Sequence, residues 1–314
     1  MNQKQDILVV GELNVDIILN KINKMPVPGQ EQRADEMTLT MGSSTAIFAA
    51  NASKLGSSVG FTGKVGNDTY GSYMVEALRK YQVNTEAIIV DPELKTGATV
   101  IFVLEEDRMM VTHPGAMEHF SAVDISDDLL KRYRHIHTST LFFQPLLKDS
   151  LAGLFKRAKR LGLTTSMDSQ WDPEEKWDLD LTNILPYTDF FLPNESELLA
   201  MAGTEDLDKA LHFFSKFNSC LVVKRGTRGA LLLQRPGEKL TVEGLRVPEV
   251  VDTVGAGDSF NAGFINAFLK NKDLQTCLEE GNRTAAVSVT KPGGVAAISS
   301  YEQVREESAT FYNQ

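Results

Sequence analysis

The chain has 314 residues, 42% hydrophobic and 24% charged, the composition of a folded globular protein and not of a disordered one. Its formal net charge of -10 argues against binding nucleic acid or an anionic membrane, although a local nest of backbone N–H groups can still hold a nucleotide. Two cysteines, Cys220 and Cys277, stand far apart without CxxC spacing, so reduced thiols in a cytoplasmic protein are expected, with neither a disulfide nor a zinc site.

From the N-terminus, six mostly polar residues run into Ile7-Leu8-Val9-Val10, too short a run for a signal-peptide core and closed by Gly11-Glu12. No stretch approaches the roughly 18 apolar residues of a membrane span. Ile7–Val10 has the pattern of a buried parallel strand. Further apolar runs follow at Val59–Thr62, Ile88–Val90, Ile136–His137 with Leu141–Phe143, Thr164–Met167, Phe190–Leu192, Leu221–Val223 and Ala230–Leu233. Between them lie stretches of helical period at Ser44–Leu55, Tyr70–Tyr81, Lys148–Leu161, Asn194–Met201 and Asp206–Phe217. This alternation predicts βαβ units and a mostly parallel sheet with helices on both faces.

Two segments break the rhythm. Residues 17–41 and 96–112 read as extended pieces with polar alternation and no crossover helix, which predicts antiparallel strands projecting as a small β-sheet lid. No repeat or long linker appears, so residues 1–314 are expected to form one domain that carries this lid. The five histidines, His113, His119, His135, His137 and His212, have no metal-ligand spacing, and Trp171 and Trp177 are expected to pack a loop.

The chemistry is carried by Gly255-Ala256-Gly257-Asp258, which precedes the amphipathic stretch Ser259–Lys270. Small residues before a helix leave its first N–H groups open, and the helix dipole there favours an anion such as a phosphoryl group. Asp258 beside such a hole can accept the proton of an attacking hydroxyl. Taken alone, the same four residues also suit a plain N-cap. No GxxxxGK[ST] loop occurs, and no GxGxxG follows the first strand.

The longer string Asp252-Thr253-Val254-Gly255-Ala256-Gly257-Asp258-Ser259-Phe260, followed by Ala262-Gly263-Phe264, resembles the signature of the ribokinase-like, or PfkB, carbohydrate kinase family. The resemblance spans nearly the whole chain. It implies a ribokinase-like doubly wound α/β fold and an ATP-dependent phosphotransferase that acts on a hydroxyl of a sugar or sugar-like substrate. Asp258 is then the base, and Gly255, Ala256 and Gly257 form the anion hole. The opening Gly11-Glu12-Leu13-Asn14-Val15-Asp16 is similar to the family's first strand and turn, which implies substrate contacts from Asn14 and Asp16. Gly63–Gly71 resembles a structural turn and helix cap of the family.

Pro193-Asn194-Glu195-Ser196-Glu197 resembles the N-x-x-E motif, with Glu197 organising Mg2+ through water, and it also fits a capping box. Lys224 to Gly229 resembles the nucleotide turn, which implies that Asn194, Lys224, Gly226, Gly229 and Asn282 bind ATP. The resemblance places a monovalent cation such as K+ against backbone carbonyls near Asp252, Val254, Ser288, Lys291 and Gly293, and puts Arg108 on the lid with a substrate contact. It also implies a homodimer formed through the lid.

Departures lie on the substrate side. Gly42-Ser43-Ser44-Thr45-Ala46-Ile47 stands where the family motif has a second glycine and a sugar-binding Asn, so Ser43 and Ser44 become the substrate candidates beside Gly42. A nucleoside kinase and a 2-keto-3-deoxygluconate kinase of the same family remain as alternatives, as does, from another class, an inactive ligand-binding regulator. The motifs around Asp16 and Gly42 offer few basic residues for a phosphofructokinase.

Overall fold

The computed structural model describes residues 4–104, 107–217, 219–234 and 237–311; positions 1–3 of the N-terminal run and 312–314 of the expected domain lie outside these. Its strands in chain order are β1 (Gln5–Val10), β2 (Asn14–Ile22), β3 (Ala34–Met41), β4 (Val59–Thr62), β5 (Lys64–Gly66) and β6 (Ile89–Asp91). They continue with β7 (Gly97–Leu104), β8 (Asp107–His113), β9 (Tyr133–Thr138), β10 (Thr164–Met167) and β11 (Phe190–Phe191). The last three are β12 (Cys220–Lys224), β13 (Ala230–Gln234) and β14 (Glu238–Val242).

Eight strands form one sheet in the order β14-β13-β12-β11-β10-β9-β1-β4. Pairing is parallel from β12 across to β4 and antiparallel at the β12-β13-β14 edge. A parallel sheet must be covered on both faces, and β1 shows how the sequence does it. Ile7 and Val9 enter one apolar layer with Phe48, Phe61 and Phe264, while Leu8 and Val10 enter the other with Phe120, Phe155 and Phe191. His135 and His137 on β9 are buried and hydrogen-bonded to Thr164 and Ser166. Burial drives His135 down to about 3 and His137 well below the usual imidazole range, so both pack as neutral core residues. No helix among the described residues is long and apolar enough to cross a membrane.

Residues of both irregular segments fall in a second, four-stranded sheet ordered β3-β2-β7-β8. Its outer pairs are antiparallel, but the central pair β2 and β7 is parallel, which corrects the expectation of antiparallel strands throughout. The chain reaches β7 only after passing through β4 and the helix Thr69–Lys80, a crossover that leaves the two strands running the same way. Asp68 caps that helix through Gly71 N (2.8 Å) and also accepts from Thr96 N (2.9 Å), tying the turn to the chain just before β7.

Two expected strands of the main sheet are corrected. Leu141–Phe143 is a single 3-10 turn, because Thr140 adopts a left-handed conformation (φ 56°) just past the end of β9. Ile88–Val90 contributes to β6, which pairs with β5 in a separate two-stranded sheet where Val90 is exposed. Strand β14 and the helix Tyr301–Phe311 were absent from the sequence expectations; β14 is an edge strand with mostly exposed side chains and so lacks a buried apolar run.

The parallel strands end on one rim, which carries Gly11 after β1, Asp168 after β10, Asn194 just past β11 and Lys224 at the end of β12. At this rim Gly63 is pressed against Gly11: a Cβ there would lie 2.3 Å from the Gly11 carbonyl oxygen. Gly63→Ala is expected to cost about 1–3 kcal/mol through overpacking. Gly153→Ala, exposed on the helix Pro145–Arg160 with nothing within 4 Å, is expected to be neutral or to gain about 0.4–1 kcal/mol. Urea midpoints of the two variants should move in opposite directions.

Candidate active site

The helix Ala256–Leu269 begins three residues earlier than its sequence pattern suggests and places Asp258 in the first turn. Gly255 caps it in the left-handed region (φ 71°), a conformation that costs an L-residue about 1–2 kcal/mol. A Cβ at Gly255 would also sit 3.0 Å from Gly294 Cα and from Ile47 Cγ2. Ile47, standing where the family motif has a polar residue, thus packs beneath the glycine turn. Thr253, Gly255, Ala256, Gly257 and Asp258 line a cavity of about 430 Å3, and Asp16, Ser44, Glu197 and Lys224 line it from other elements.

Asp258 is buried, and its surroundings explain its ionisation. Desolvation first, then the negative charge of Asp168, hold it well above the ordinary carboxylate range; Lys224 opposes them, Glu12 adds to them and the Ser44 hydroxyl lowers it again. Behind it lies a chain of contacts that the motifs did not reveal. Lys224 Nζ pairs with Asp168 Oδ2. Asn261 Nδ2 donates to the same oxygen at 2.6 Å. Gln170 Nε2 then bridges the two carboxylates, 3.4 Å from Asp168 Oδ2 and 3.0 Å from Asp258 Oδ1. Gln170 has a left-handed backbone (φ 59°), as have Glu175 and Trp177 farther along its loop, and strain of this kind persists only where the surroundings fix it.

Glu197 caps its own helix: Asn194 Oδ1 accepts from Glu197 N (2.9 Å), and Asn194 N donates back to Glu197 Oε2 (2.9 Å). Burial and the nearby Asp168 push Glu197 up to about 7, with Lys224 pulling the other way. Burial works to lower Lys224, but Asp168 and Glu197 outweigh it and keep the ammonium charged. A Cβ at Gly257 would lie 3.3 Å from that ammonium, which puts the positive charge directly against the glycine turn.

A second cavity, of about 580 Å3, opens on the side of the small sheet and shares Asp16, Ser43 and Ser44 with the first. Asn14 Nδ2 donates to Asp16 Oδ1 (3.1 Å) and to Thr99 Oγ1 (3.2 Å). Burial raises Asp16 to about 6. Gly42 has no room for a side chain, since a Cβ there would fall 2.3 Å from Asp16 Oδ1. Ser43 takes the place of a glycine at a left-handed position (φ 73°), and its hydroxyl offsets the strain: it donates to Glu12 O (2.7 Å) and caps the following helix through Ala46 N (3.0 Å). Glu12 is buried below this cavity with Thr45, Thr140 and Gln144 donating to its oxygens.

On the far side a third cavity, about 640 Å3, adjoins the first through Gly226, Thr253, Ala256, Asn282 and Ala285. Gly229, with φ 81°, has no space for a Cβ, which would lie 2.0 Å from the Val242 carbonyl oxygen. Asn282 Nδ2 is engaged by Glu243 O at 3.1 Å. Arg108 does not line the cavity beneath the small sheet; its guanidinium reaches Asp252 Oδ1 at 3.0 Å. Asp252 also accepts from Val254 N and Gly293 N, both at 3.0 Å, which gathers 252, 254 and 293 in one turn. Ser288 donates to Ala285 O within its own helix, and Lys291 is exposed.

The sequence-expected residues Asp16, Ser43, Ser44, Asn194, Glu197, Lys224, Gly226, Gly229, Asn282 and Gly255 to Asp258 therefore meet around one cavity, while Asn14 and Gly42 back Asp16. Asp168, Gln170 and Asn261 were missed. The run Met167-Asp168 at a strand end, immediately before a polar stretch, was the one available signal.

A family model described as pfkB family carbohydrate kinase matches residues 4–300. An uncharacterized sugar kinase of Archaeoglobus fulgidus is 31% identical over 77% of this chain and 95% of its own length. The 2-dehydro-3-deoxygluconokinase of Bacillus subtilis is 27% identical over 84% of this chain and 83% of its own. An E. coli protein designated ribokinase II, solved in complex with ATP and Mg2+, superposes with a TM-score of 0.81 at 26% identity, covering 98% of this chain and 99% of that one.

The Gln170 amide favours the charged form of Asp258, so its removal raises the Asp258 pKa and a carboxylate in its place raises it further. The acid limb of kcat/KM for the acceptor should therefore move to higher pH in the order wild type, Gln170→Leu, Gln170→Glu, by about one unit or more for the last. A pH–rate profile of the three proteins checks the order.

Proposed function

The chain belongs to the pfkB family of carbohydrate kinases, and we propose that it transfers the terminal phosphoryl group of ATP to a hydroxyl of a sugar or sugar-like acceptor, with Asp258 as general base. Its class is a phosphotransferase with an alcohol group as acceptor. One observation carries the proposed mechanism: Asp258 lies buried in the first turn of a glycine-capped helix, where a cavity on the Asp16 side meets one on the Asn282 side.

In this reading Asp16 and Asn14 hold the acceptor hydroxyls, and the third cavity takes the nucleotide between Gly226 and Asn282. The acceptor oxygen bonds to the γ-phosphorus as the bond to the β-phosphate oxygen breaks, its proton passes to Asp258, and ADP leaves. The first N–H groups of the helix at Gly255, Ala256 and Gly257, with Lys224 beside them, stabilise the oxygens in transit. Glu197 fits a water-mediated metal partner, because its carboxylate lines the cavity while Asn194 holds both of its oxygens in place. Mg2+ on the nucleotide would meet it through water and neutralise phosphate charge. Since the Asp252 carboxylate is already committed to Arg108, Val254 and Gly293, a monovalent cation at this turn would rest on backbone carbonyls of Asp252, Val254, Ser288, Lys291 and Gly293.

The small sheet serves as a lid in this reading, and the Arg108–Asp252 contact joins it to the glycine turn. Its outer face supports a homodimer. Two rows run across all four strands in register, Leu39-Ile17-Val100-Val111 and Met37-Leu19-Phe102-Met109, and Met37, Met109 and Val111 are more than half exposed. A second copy of the chain with the same face covers them by two-fold symmetry.

Asp258→Asn should lower kcat by about 10²- to 10⁴-fold while ATP affinity stays within about three-fold, measured by ADP release and by isothermal titration. Turnover near the wild-type value would remove Asp258 from its role. For the assembly, sedimentation should give a dimer for the native chain and a monomer for Val111→Asp, whose charge lies at the exposed β8 end of the first row.

A further inference from the structure

The cavity between the small sheet and the strand rim carries more information than its polar end. Opposite Asp16 and Asn14 it is walled by Ile101, Met110, Met117, Phe143, Trp171 and Pro173. Among the described residues that line it there is no Lys, Arg or His. Arg108, the nearest sequence-expected cation, is turned away to Asp252. The charge that lines its polar end is negative, Asp16, and beyond the shared residues Ser43 and Ser44 lie Asp258 and Lys224, whose ammonium is committed to Asp168. Glu12 lies on its floor with its oxygens occupied by Thr45, Thr140 and Gln144.

Trp171 is the second observation. The residue is 47% exposed and lines the cavity, next to the strained Gln170. Trp177 supports it edge-to-face at 4.9 Å, and Phe142 packs on Trp177 at 5.7 Å. The two tryptophans thus pack together, as the sequence suggests, and Trp171 still lines the cavity. A buttressed aromatic residue beside methionine and phenylalanine in a cavity wall is a surface for a flat apolar ring.

Resting on the kinase reading, we propose that the acceptor is an uncharged sugar linked to a flat apolar ring, and that sugar acids and sugar phosphates are excluded. The sugar hydroxyls meet Asp16 and Asn14, and the ring lies against Trp171, Phe143 and Met110. An acceptor bearing a carboxylate or phosphate would bring a negative charge beside Asp16 into a wall that offers no counter-ion. The relative from Bacillus subtilis, a 2-dehydro-3-deoxygluconokinase, therefore does not set the substrate of this chain.

The test is ADP release by the purified full chain with Mg2+ and ATP, comparing kcat/KM for adenosine and uridine, phenyl β-riboside, free ribose and fructose, 2-dehydro-3-deoxygluconate and fructose 6-phosphate. The nucleosides and the aryl glycoside separate the two sources of a ring. The expected result is a ten- to hundred-fold preference of at least one ring-bearing neutral acceptor over the free sugars and over both anions, the range that burial of one ring supports. Trp171→Ala should collapse the preference for the ring, and Trp171→Phe should restore most of it. Met110→Arg, which places a cation in the wall, should raise the relative rate with 2-dehydro-3-deoxygluconate. A wild-type preference for either anion, or an unchanged ring-to-free-sugar ratio in Trp171→Ala, overturns the inference while leaving the kinase assignment intact. ADP release that no acceptor raises, and that Asp258→Asn does not lower, overturns both.

Discussion

Three carboxylates, Asp16, Glu197 and Asp258, line one cavity, a fourth, Asp168, lies directly behind it, and Lys224 is the ammonium buried among them. Two like charges about 4 Å apart cost about 4 kcal/mol at an effective dielectric near 20, so carboxylates gathered in this way resist ionising together. Burial raises Asp16, Glu197 and Asp258, and at Glu197 and Asp258 the neighbouring charge of Asp168 adds to it. In the proposed reading, a nucleotide that arrives with a divalent cation would bring positive charge to the Glu197 side while the helix N-terminus holds its phosphates. A base whose proton affinity is raised in this way is suited to take a proton from an alcohol, which an ordinary solvent-exposed aspartate does poorly. Lys224 cannot be spared for the phosphates alone, because without it the Asp168 carboxylate would be buried and unpaired.

The fold provides the rigidity that this arrangement needs. Asp168, Asn194 and Lys224 sit at or just past the ends of adjacent parallel strands, and the register of β10, β11 and β12 holds them side by side. Asp258 and Asn261 come from one helix whose side chains are almost all buried between the sheet and the helices Ser44–Lys54 and Leu274–Ser288. By contrast, Asn14 and Thr99 bond to each other within the small sheet, and Arg108 joins that sheet to Asp252 of the glycine turn. The charge cluster is thus built on the packed part of the molecule.

Much of this was legible in the residues, and for physical reasons. Buried parallel strands read as short apolar runs, so Ile7–Val10, Val59–Thr62 and Leu221–Val223 were visible at once. Leu141–Phe143 has the same composition but follows a left-handed Thr140, and composition carries no record of that backbone turn. The glycines at 42, 229 and 255 were informative because each stands where a Cβ would collide or a positive φ is required. Asp168, Gln170 and Asn261 were not legible: they converge from a strand end, a loop and a helix interior, and no spacing along the chain records that meeting.

This division explains why the chemistry is easier to read than the acceptor. The phosphate side is made largely of backbone, a helix N-terminus and glycines whose absent side chains are themselves the signal. The acceptor side is made of side chains that tolerate exchange when a neighbour compensates, as Ser43 does for a glycine by capping its helix and Ile47 does by packing under Gly255. One loop joins the two halves. Gln170 bonds to Asp258, and Trp171, the next residue, lines the cavity proposed for the acceptor. In the proposed reading, acceptor recognition and the orientation of the base thus rest on adjacent residues of a single strained segment.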